Sequence, residues 1–265
     1  RDVLIPRPET ELLVEAILAA ADRIWPVGDG ATADSGAAPS HARHIDAETA
    51  PHVLDVGAGS GAIAVTLAME RPAWRVTASD LSPAALDVAR QNAEKLGASD
   101  RLRFMQGNLL EPFVKDGGDS SHAGFTSRAT AQVVVSKQDI PETASADAPS
   151  EVSETTDIPA AKLPVDILVS NPPYIPSGDL PGLQREVRDY EPHLALDGGD
   201  DGLTPYRLMA EQLQSLPVPP RIVGWEVGAG QAEDVADLLR KATDWKEIRY
   251  ITDYAGIRRH VLAVR

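Results

Sequence analysis

The residues best suited to chemistry in this sequence are Asn171, Pro172, Pro173 and Tyr174, which follow the apolar run VDILV and Ser170. Two consecutive prolines give up two backbone donors, so the junction gains rigidity and exposed carbonyls in exchange. The side-chain oxygen of Asn171 is able to accept one proton of an NH2 group, and the carbonyl of Pro172 the other, with the proline φ angles aiming both acceptors. A planar NH2 held in this way presents its nitrogen to whatever lies opposite, as a group transfer to nitrogen requires. Tyr174 adds a ring face that packs on the planar group or on adjoining backbone. A plain turn is the competing reading, since prolines after a strand are ordinary.

A second cluster precedes it in VLDVGAGSGAIAV. Gly57, Ala58, Gly59, Ser60 and Gly61 turn a strand into a helix, where glycine permits a tight turn and close approach to a ligand. Asp80 closes the next strand, where a carboxylate accepts from the hydroxyls of a ribose. Gly57, Gly59 and Ala62 satisfy the dinucleotide fingerprint, so a NAD enzyme is one reading of this loop. With Asp55 ahead of it, the loop equally suits the amino-acid end of S-adenosyl-L-methionine, whose ammonium prefers carboxylate and carbonyl groups. A bare strand-to-helix turn is the third. The Asn171 segment separates them: a nicotinamide enzyme needs a proton donor for its substrate oxygen, and neither His nor Lys follows that strand. An amine or amide acceptor facing a sulfonium methyl uses every one of these residues.

These residues need a scaffold, and the periodicity supplies one. The segment ETELLVEAILAAADRIW has apolar residues at Leu12, Leu13, Ile17, Ala20 and Ile24, one helical stripe, with Thr10 at its start. Strands are expected at 52–56, 75–80, RLRFMQ, VDILVS, RIVGWEV, KEIRYITD and RRHVLAVR, with helices at GAIAVTLAME, 82–97, TPYRLMAEQLQSL and QAEDVADLLRKA between them. Ser82 is a good N-cap, Pro83 fits the first turn and Gly97 a stop. The alternation predicts an α/β fold, a mostly parallel seven-stranded sheet ending in an antiparallel hairpin. VDILV, apolar without period two, reads as a strand covered on both faces.

Two stretches, 26–50 and 114–162, lack a sustained apolar period and read as flexible inserts. They hold 12 acidic and 5 basic residues, hence 7 of the 15 net negative charges of the 265-residue chain. The remaining acidity still argues against a broad nucleic-acid footprint. There is no cysteine, which excludes disulfides and thiolate chemistry and fits a reducing compartment. No run of about 20 apolar residues predicts a membrane span. The chain opens on Arg1 rather than Met and reads as a fragment.

Taken together, LIPRPETELLVE, VLDVGAGSGAIAV, ILVSNPPYIP, YEPHLALDGGDDGL and DYAGIRRHVLAV resemble the peptide chain release factor glutamine methyltransferases, the PrmC/HemK family, over nearly all the chain outside the two inserts. The resemblance implies a Rossmann-like class I S-adenosylmethionine-dependent methyltransferase occupying 1–265, without the family's N-terminal substrate-binding domain. It implies methylation of the side-chain amide nitrogen of the glutamine in the GGQ motif of class 1 release factors. It places cofactor contacts on Gly57, Ala58, Gly59, Ser60, Gly61, Asp80, Leu81, Asn108, Leu109 and Asn171. Substrate contacts fall on Asn171, Pro172, Pro173 and Tyr174, with Asn171 and Pro172 catalytic. Relatives usually carry an acidic residue where this chain has Asn108, and often a histidine where it has Val227. Nucleic-acid amino methyltransferases share the glycine loop and NPPY and form the alternative, with a NAD-dependent oxidoreductase behind it.

An amide nitrogen is a poor nucleophile, and hydrogen bonds that strengthen as positive charge builds on it are the available lever. No general base is assigned before transfer; the proton leaves afterwards, to water. No metal site is expected: His41, His44 and His122 lie in the inserts, and His52, His193 and His260 share no ligand spacing, each reading as a surface or strand-edge residue. IPRPETE is open between a lid over the site and a helix initiator. Glu226 reads as a supporting residue of the cleft, and the four tryptophans as packing. The expected partner is a class 1 release factor, with no direct nucleic acid, no membrane and a monomeric state; the expected location is bacterial cytoplasm, or mitochondria in a eukaryote.

Overall fold

The chain folds as thirteen described elements, seen in a computed structural model that describes residues 2–26, 49–114 and 160–265. In chain order they are α1 (Thr10–Ile24), β1 (His52–Val56), α2 (Ala62–Glu70), β2 (Arg75–Asp80), α3 (Pro83–Lys95), β3 (Leu102–Gln106), β4 (Ile167–Ser170), α4 (Arg185–Arg188), α5 (Thr204–Gln214), β5 (Ile222–Glu226), α6 (Ala232–Ala242), β6 (Glu247–Thr252) and β7 (Arg258–Val264), linked in places by short 3-10 turns. One seven-stranded sheet holds the strands in the order β3-β2-β1-β4-β5-β7-β6. Only β7 runs antiparallel to its neighbours, as the closing hairpin predicts.

Side chains alternate between the two faces of this sheet. Val53, Ile167, Val169 and Ile222 meet Leu13, Ile17, Ile63 and Leu67 of α1 and α2 on one side. Leu54, Leu168, Val223 and Trp225 meet Tyr206, Met209, Val235 and Leu239 of α5 and α6 on the other. Every residue of β4 is buried, which is why VDILV carries no period-two signal. The stripe of α1 is rotated slightly from expectation: Val14 and Ala21 are buried with Leu13, Ile17 and Ala20, whereas Leu12 and Ile24 are half-buried. Gly224 sets that rotation. A Cβ there would come within 3.0 Å of both Leu13 and Ile17, so the bare backbone of β5 is the seat on which α1 rests.

The helix ends follow local chemistry. Ser82 Oγ accepts from the Ala85 N–H at 3.3 Å, Pro83 occupies the first turn of α3, and Gly97 ends it at a φ of +67°. Gly61 precedes α2 at a φ of +79°, and a Cβ on it would lie 2.9 Å from Ala89 Cβ, so α2 and α3 touch through an absent side chain.

The stretches 27–48 and 115–159, the bulk of the two expected inserts, lie outside the described residues. The described ends of the second are packed rather than free: Val114 and Ala160 lie against the core, and the turns Glu111–Phe113 and Ala160–Lys162 meet. Two histidine readings need correction. His52 and His260 are buried, at 5% and 0% exposure, because β1 and β7 are interior strands; the sheet order makes β6, not the chain-terminal β7, the edge. His193 is exposed as expected, and His41, His44 and His122 fall outside the described residues.

Candidate active site

Strand order reverses between β1 and β4, the place where open α/β sheets bind ligands beyond their carboxyl ends. The glycine loop leaves β1 there, and Asn171 leaves β4. The two strands are direct neighbours, with Val56 paired to Ser170, and Ser170 Oγ donates to the Val56 carbonyl at 2.7 Å. The sequence-predicted cofactor and substrate residues therefore flank one crevice.

The loop is built from backbone. Gly57, Gly59 and Gly61 all have positive φ, and the N–H groups of Gly57 and Ala58 both donate to the Ser79 carbonyl, at 2.8 and 3.0 Å. A Cβ on Gly57 would meet nothing within 4 Å, and one on Gly59 only the Gly57 carbonyl oxygen at 4.0 Å, so these two glycines are open to a ligand in a way that Gly61 is not. Asn92 fixes Ser60 by donating to its carbonyl at 2.9 Å. Asp80 holds the loop from the end of β2: one carboxylate oxygen accepts from the Gly59 N–H and the other from the Ser82 N–H, each at 2.8 Å. Each oxygen keeps a further lone pair with which to receive a hydroxyl.

Leu81 and Leu109 project from the ends of β2 and β3, the first 45% exposed and the second half-buried. Leu109 has a φ of +51°, the one positive value outside glycine among the described residues. Its neighbours hold it there: the Leu110 N–H donates to Gln212 Oε1 at 2.8 Å, and Asn108 Nδ2 to Glu111 Oε1 at 2.9 Å. Asn108 so bonded keeps its own amide oxygen as an acceptor.

Asp55 lies beneath the loop at 1% exposure. One carboxylate oxygen accepts from the Ala64 N–H at 3.0 Å; the other has no partner. Burial pushes its pKa up to about 7, the Ala64 bond opposing and the charge of Asp80 adding to the rise. An orphaned, buried carboxylate oxygen under a glycine loop fits the ammonium of an amino-acid-bearing cofactor.

On the other side of the crevice Asn171 is half-buried, and among the described residues its side-chain amide has no hydrogen-bond partner. Pro172 is buried and Pro173 half-buried. Burial raises the Tyr174 pKa, and Glu226 raises it further. The segment YEPHLALDGGDDGL, which the sequence singles out without assigning it work, is the bed of this loop. The Ile175 N–H donates to the Leu196 carbonyl at 3.1 Å, and the Gly198 N–H returns to the Ile175 carbonyl at 2.8 Å. A side chain on Gly198 or Gly202 would strike the Tyr174 backbone.

The IPRPETE segment leads into α1 as the helix-initiator reading expects. Glu9 stands at the N-cap position of α1 without a side-chain cap and Pro8 precedes it, while Arg7 reaches across to Glu191 in an ion pair of 2.9 and 3.1 Å to its two carboxylate oxygens. Thr10 Oγ1 donates to the buried Glu226 at 2.7 Å, and His260 stands 3.6 Å from the same carboxylate oxygen. Glu226 thus ties the start of α1 to the end of β5, and its backbone carbonyl accepts from Tyr206.

A family model described as a methyltransferase domain matches residues 53–146. The release factor glutamine methyltransferase of Moorella thermoacetica is 34% identical over 263 residues, 99% of this chain and 68% of that protein. That of Bacillus subtilis is 34% identical over 264 residues, again 99% and 68%. The chain belongs to the release factor glutamine methyltransferase family. Among solved structures, the hMettl16 catalytic domain in complex with MAT2A 3'UTR hairpin 6 superposes at a TM-score of 0.55 with 13% identity, covering 99% of this chain and 73% of that one, a likeness of fold alone. As a member of the release factor glutamine methyltransferases the chain is a class I methyltransferase whose cofactor is S-adenosyl-L-methionine. Groups of histidine and acidic residues able to hold a metal are absent among the described residues.

An ammonium seated against the Asp55 carboxyl would give cofactor binding a pH dependence. In the free protein the group is largely neutral below about 7, and a cationic ammonium against it favours the carboxylate, so binding expels a proton in that range. Affinity is expected to climb with pH toward about 7 by up to roughly tenfold per unit and to level off above. The sign for the fold itself is opposite. The folded state holds a proton that the unfolded chain has lost above its ordinary 3.8, so this group weakens the unliganded fold as pH rises toward about 7. Calorimetry in two buffers of different ionisation enthalpy counts the protons, and binding near pH 6 without proton release would rule the contact out. Asp55→Asn is expected to flatten the profile.

Proposed function

We infer that this chain methylates the side-chain amide nitrogen of the glutamine in the GGQ motif of a class 1 release factor, and that Asn171 and Pro172 present that amide. The observation that carries this reading is the pairing of β1 with β4, which brings the glycine loop and Asn171 to one crevice. The residues Gly57, Ala58, Gly59, Ser60, Gly61, Asp80, Leu81, Asn108 and Leu109 take the cofactor side. Asn171, Pro172, Pro173 and Tyr174 take the substrate side. Bound S-adenosylmethionine supplies an electrophilic methyl with its own leaving group.

The protein's part is to hold the acceptor. The Asn171 amide oxygen and the Pro172 carbonyl each accept one amide proton, and both bonds strengthen as positive charge gathers on the nitrogen. Buried Pro172 leaves that carbonyl little freedom. No side chain is assigned as a base, and the proton passes to water after transfer. The bacterial relatives and the lack of cysteine support a place in the bacterial cytoplasm, and no helix among the described residues is long and apolar enough to cross a membrane.

The test is mass spectrometry of a release factor incubated with the protein and S-adenosylmethionine, beside an oligonucleotide containing adenine and cytosine. A gain of one methyl on the GGQ glutamine is expected. Methylation of the oligonucleotide with the glutamine untouched would overturn the reading in favour of a nucleic-acid enzyme.

A further inference from the structure

We propose that Gln231 is a positioning residue for the reaction, acting as a clamp on the Asn171–Tyr174 segment; this deepens the function inferred above and rests on it. Gln231 stands at the N-cap of α6 but makes no side-chain cap to that helix. Its amide is spent elsewhere. Oε1 accepts from the Gly228 N–H at 2.9 Å, and Nε2 donates to the Tyr174 carbonyl at 3.0 Å. A donor on one side and a carbonyl on the other fix which end of the amide faces which partner.

The surroundings are shaped for this amide. A Cβ on Gly202 would strike both the Tyr174 carbonyl oxygen and Gln231 Nε2. One on Gly228 would lie 2.7 Å from Gln231 Oε1 and 3.1 Å from Tyr174 Cδ2. Two bare backbones thus leave the space through which the amide reaches Tyr174.

Tyr174 packs on the core through its ring, but its carbonyl is held by hydrogen bonding only from Gln231 among the described residues. Ser170 is held by the sheet, and Ile175 by the Leu196 and Gly198 backbone. Between them the prolines fix their own φ and, at Asn171 and Pro172, restrict ψ as well, so the torsion left to be set is at Pro173, next to Tyr174. The bond from Gln231 is the one hydrogen bond to the Tyr174 carbonyl among the described residues, and it sets the turn that carries Asn171 and Pro172. Reaction rates are sensitive to misplacement on the ångström scale, so a loosened carbonyl affects turnover before it affects folding.

Gln231→Glu tests the clamp with a side chain of the same shape. The carboxylate still accepts from Gly228 but sets an acceptor against the Tyr174 carbonyl; Gln231→Ala removes both bonds together with the longer one from Nε2 to the Asp201 carbonyl at 3.5 Å. For both variants kcat on the release factor is expected to fall about tenfold or more, with KM and cofactor Kd changed by less than about threefold. Hydrogen exchange on the free protein gives a second readout that needs no activity. Amides of residues 171–177 should exchange about tenfold faster while those of β5 and α5 stay as they were. Unchanged exchange in that segment, or acceleration spread equally over the whole fold, would overturn the proposal. So would wild-type turnover in Gln231→Glu. Were the wild-type protein itself to leave the glutamine unmethylated, the functional reading would fail and the exchange data alone would decide the clamp.

Discussion

Asn171→Ala is expected to lower methylation of the GGQ glutamine by about a hundred- to a thousandfold at saturating S-adenosylmethionine, the range found when one preorganised hydrogen-bond partner of a developing charge is removed. The fold should scarcely register the change. Asn171 is half-buried and its amide has no hydrogen-bond partner among the described residues, so truncation strands no other group. The effect should fall on kcat rather than on KM for the release factor, since the bond strengthens only as the nitrogen gains charge. Saturating cofactor matters because Asn171 is also assigned to the cofactor, so the variant's binding is to be separated from its turnover. Single-turnover assays with mass spectrometry would measure the loss, and a variant as fast as the wild type would strip Asn171 of its role.

Gly61→Ala is expected to cost about 2–4 kcal/mol of stability, the sum of left-handed backbone strain and an overpacked helix contact. Gly61 has a φ of +79°, and the new methyl would lie 2.9 Å from Ala89 Cβ and 3.2 Å from Ala89 Cα. Gly97→Ala is the control, because its φ of +67° is similar but nothing lies within 4 Å of the added Cβ. That variant should lose only about 1 kcal/mol. Urea denaturation of both, with Ala89→Gly added to Gly61→Ala, separates the two causes. Partial recovery in the double variant is expected; equal losses at Gly61 and Gly97 would show that the helix contact contributes nothing.

The scaffold was legible because its signals are local. Ser82, Pro83 and Gly97 bracket α3 by capping chemistry that needs no distant partner, and the apolar runs of the central strands announce burial on both faces. The glycine loop and Asn171 were legible for a related reason: glycine and proline report backbone geometry directly. What stayed hidden depends on residues far apart in the chain. Arg7 and Glu191 are separated by 184 positions, and Thr10 and Glu226 by 216, and no spacing rule connects them. His260 reads as a surface or strand-edge residue because nothing in its spacing gives it a partner. Only the strand order, with β7 inserted between β5 and β6, shows it to be interior. Gln231 left one usable trace, the glycine-rich segments LDGGDDGL and VGAGQ, where so many absent side chains imply backbones in close approach.

Leu109 carries a conflict between endurance and grip. Its φ of +51° is a conformation that disfavours any side chain with a Cβ by roughly 1–2 kcal/mol, and glycine would adopt it freely. A selection for heat resistance alone would therefore be drawn to glycine at this position. The same exchange would remove the apolar side chain assigned to the cofactor side, so a gain in endurance at this position would be set against a loss of cofactor affinity.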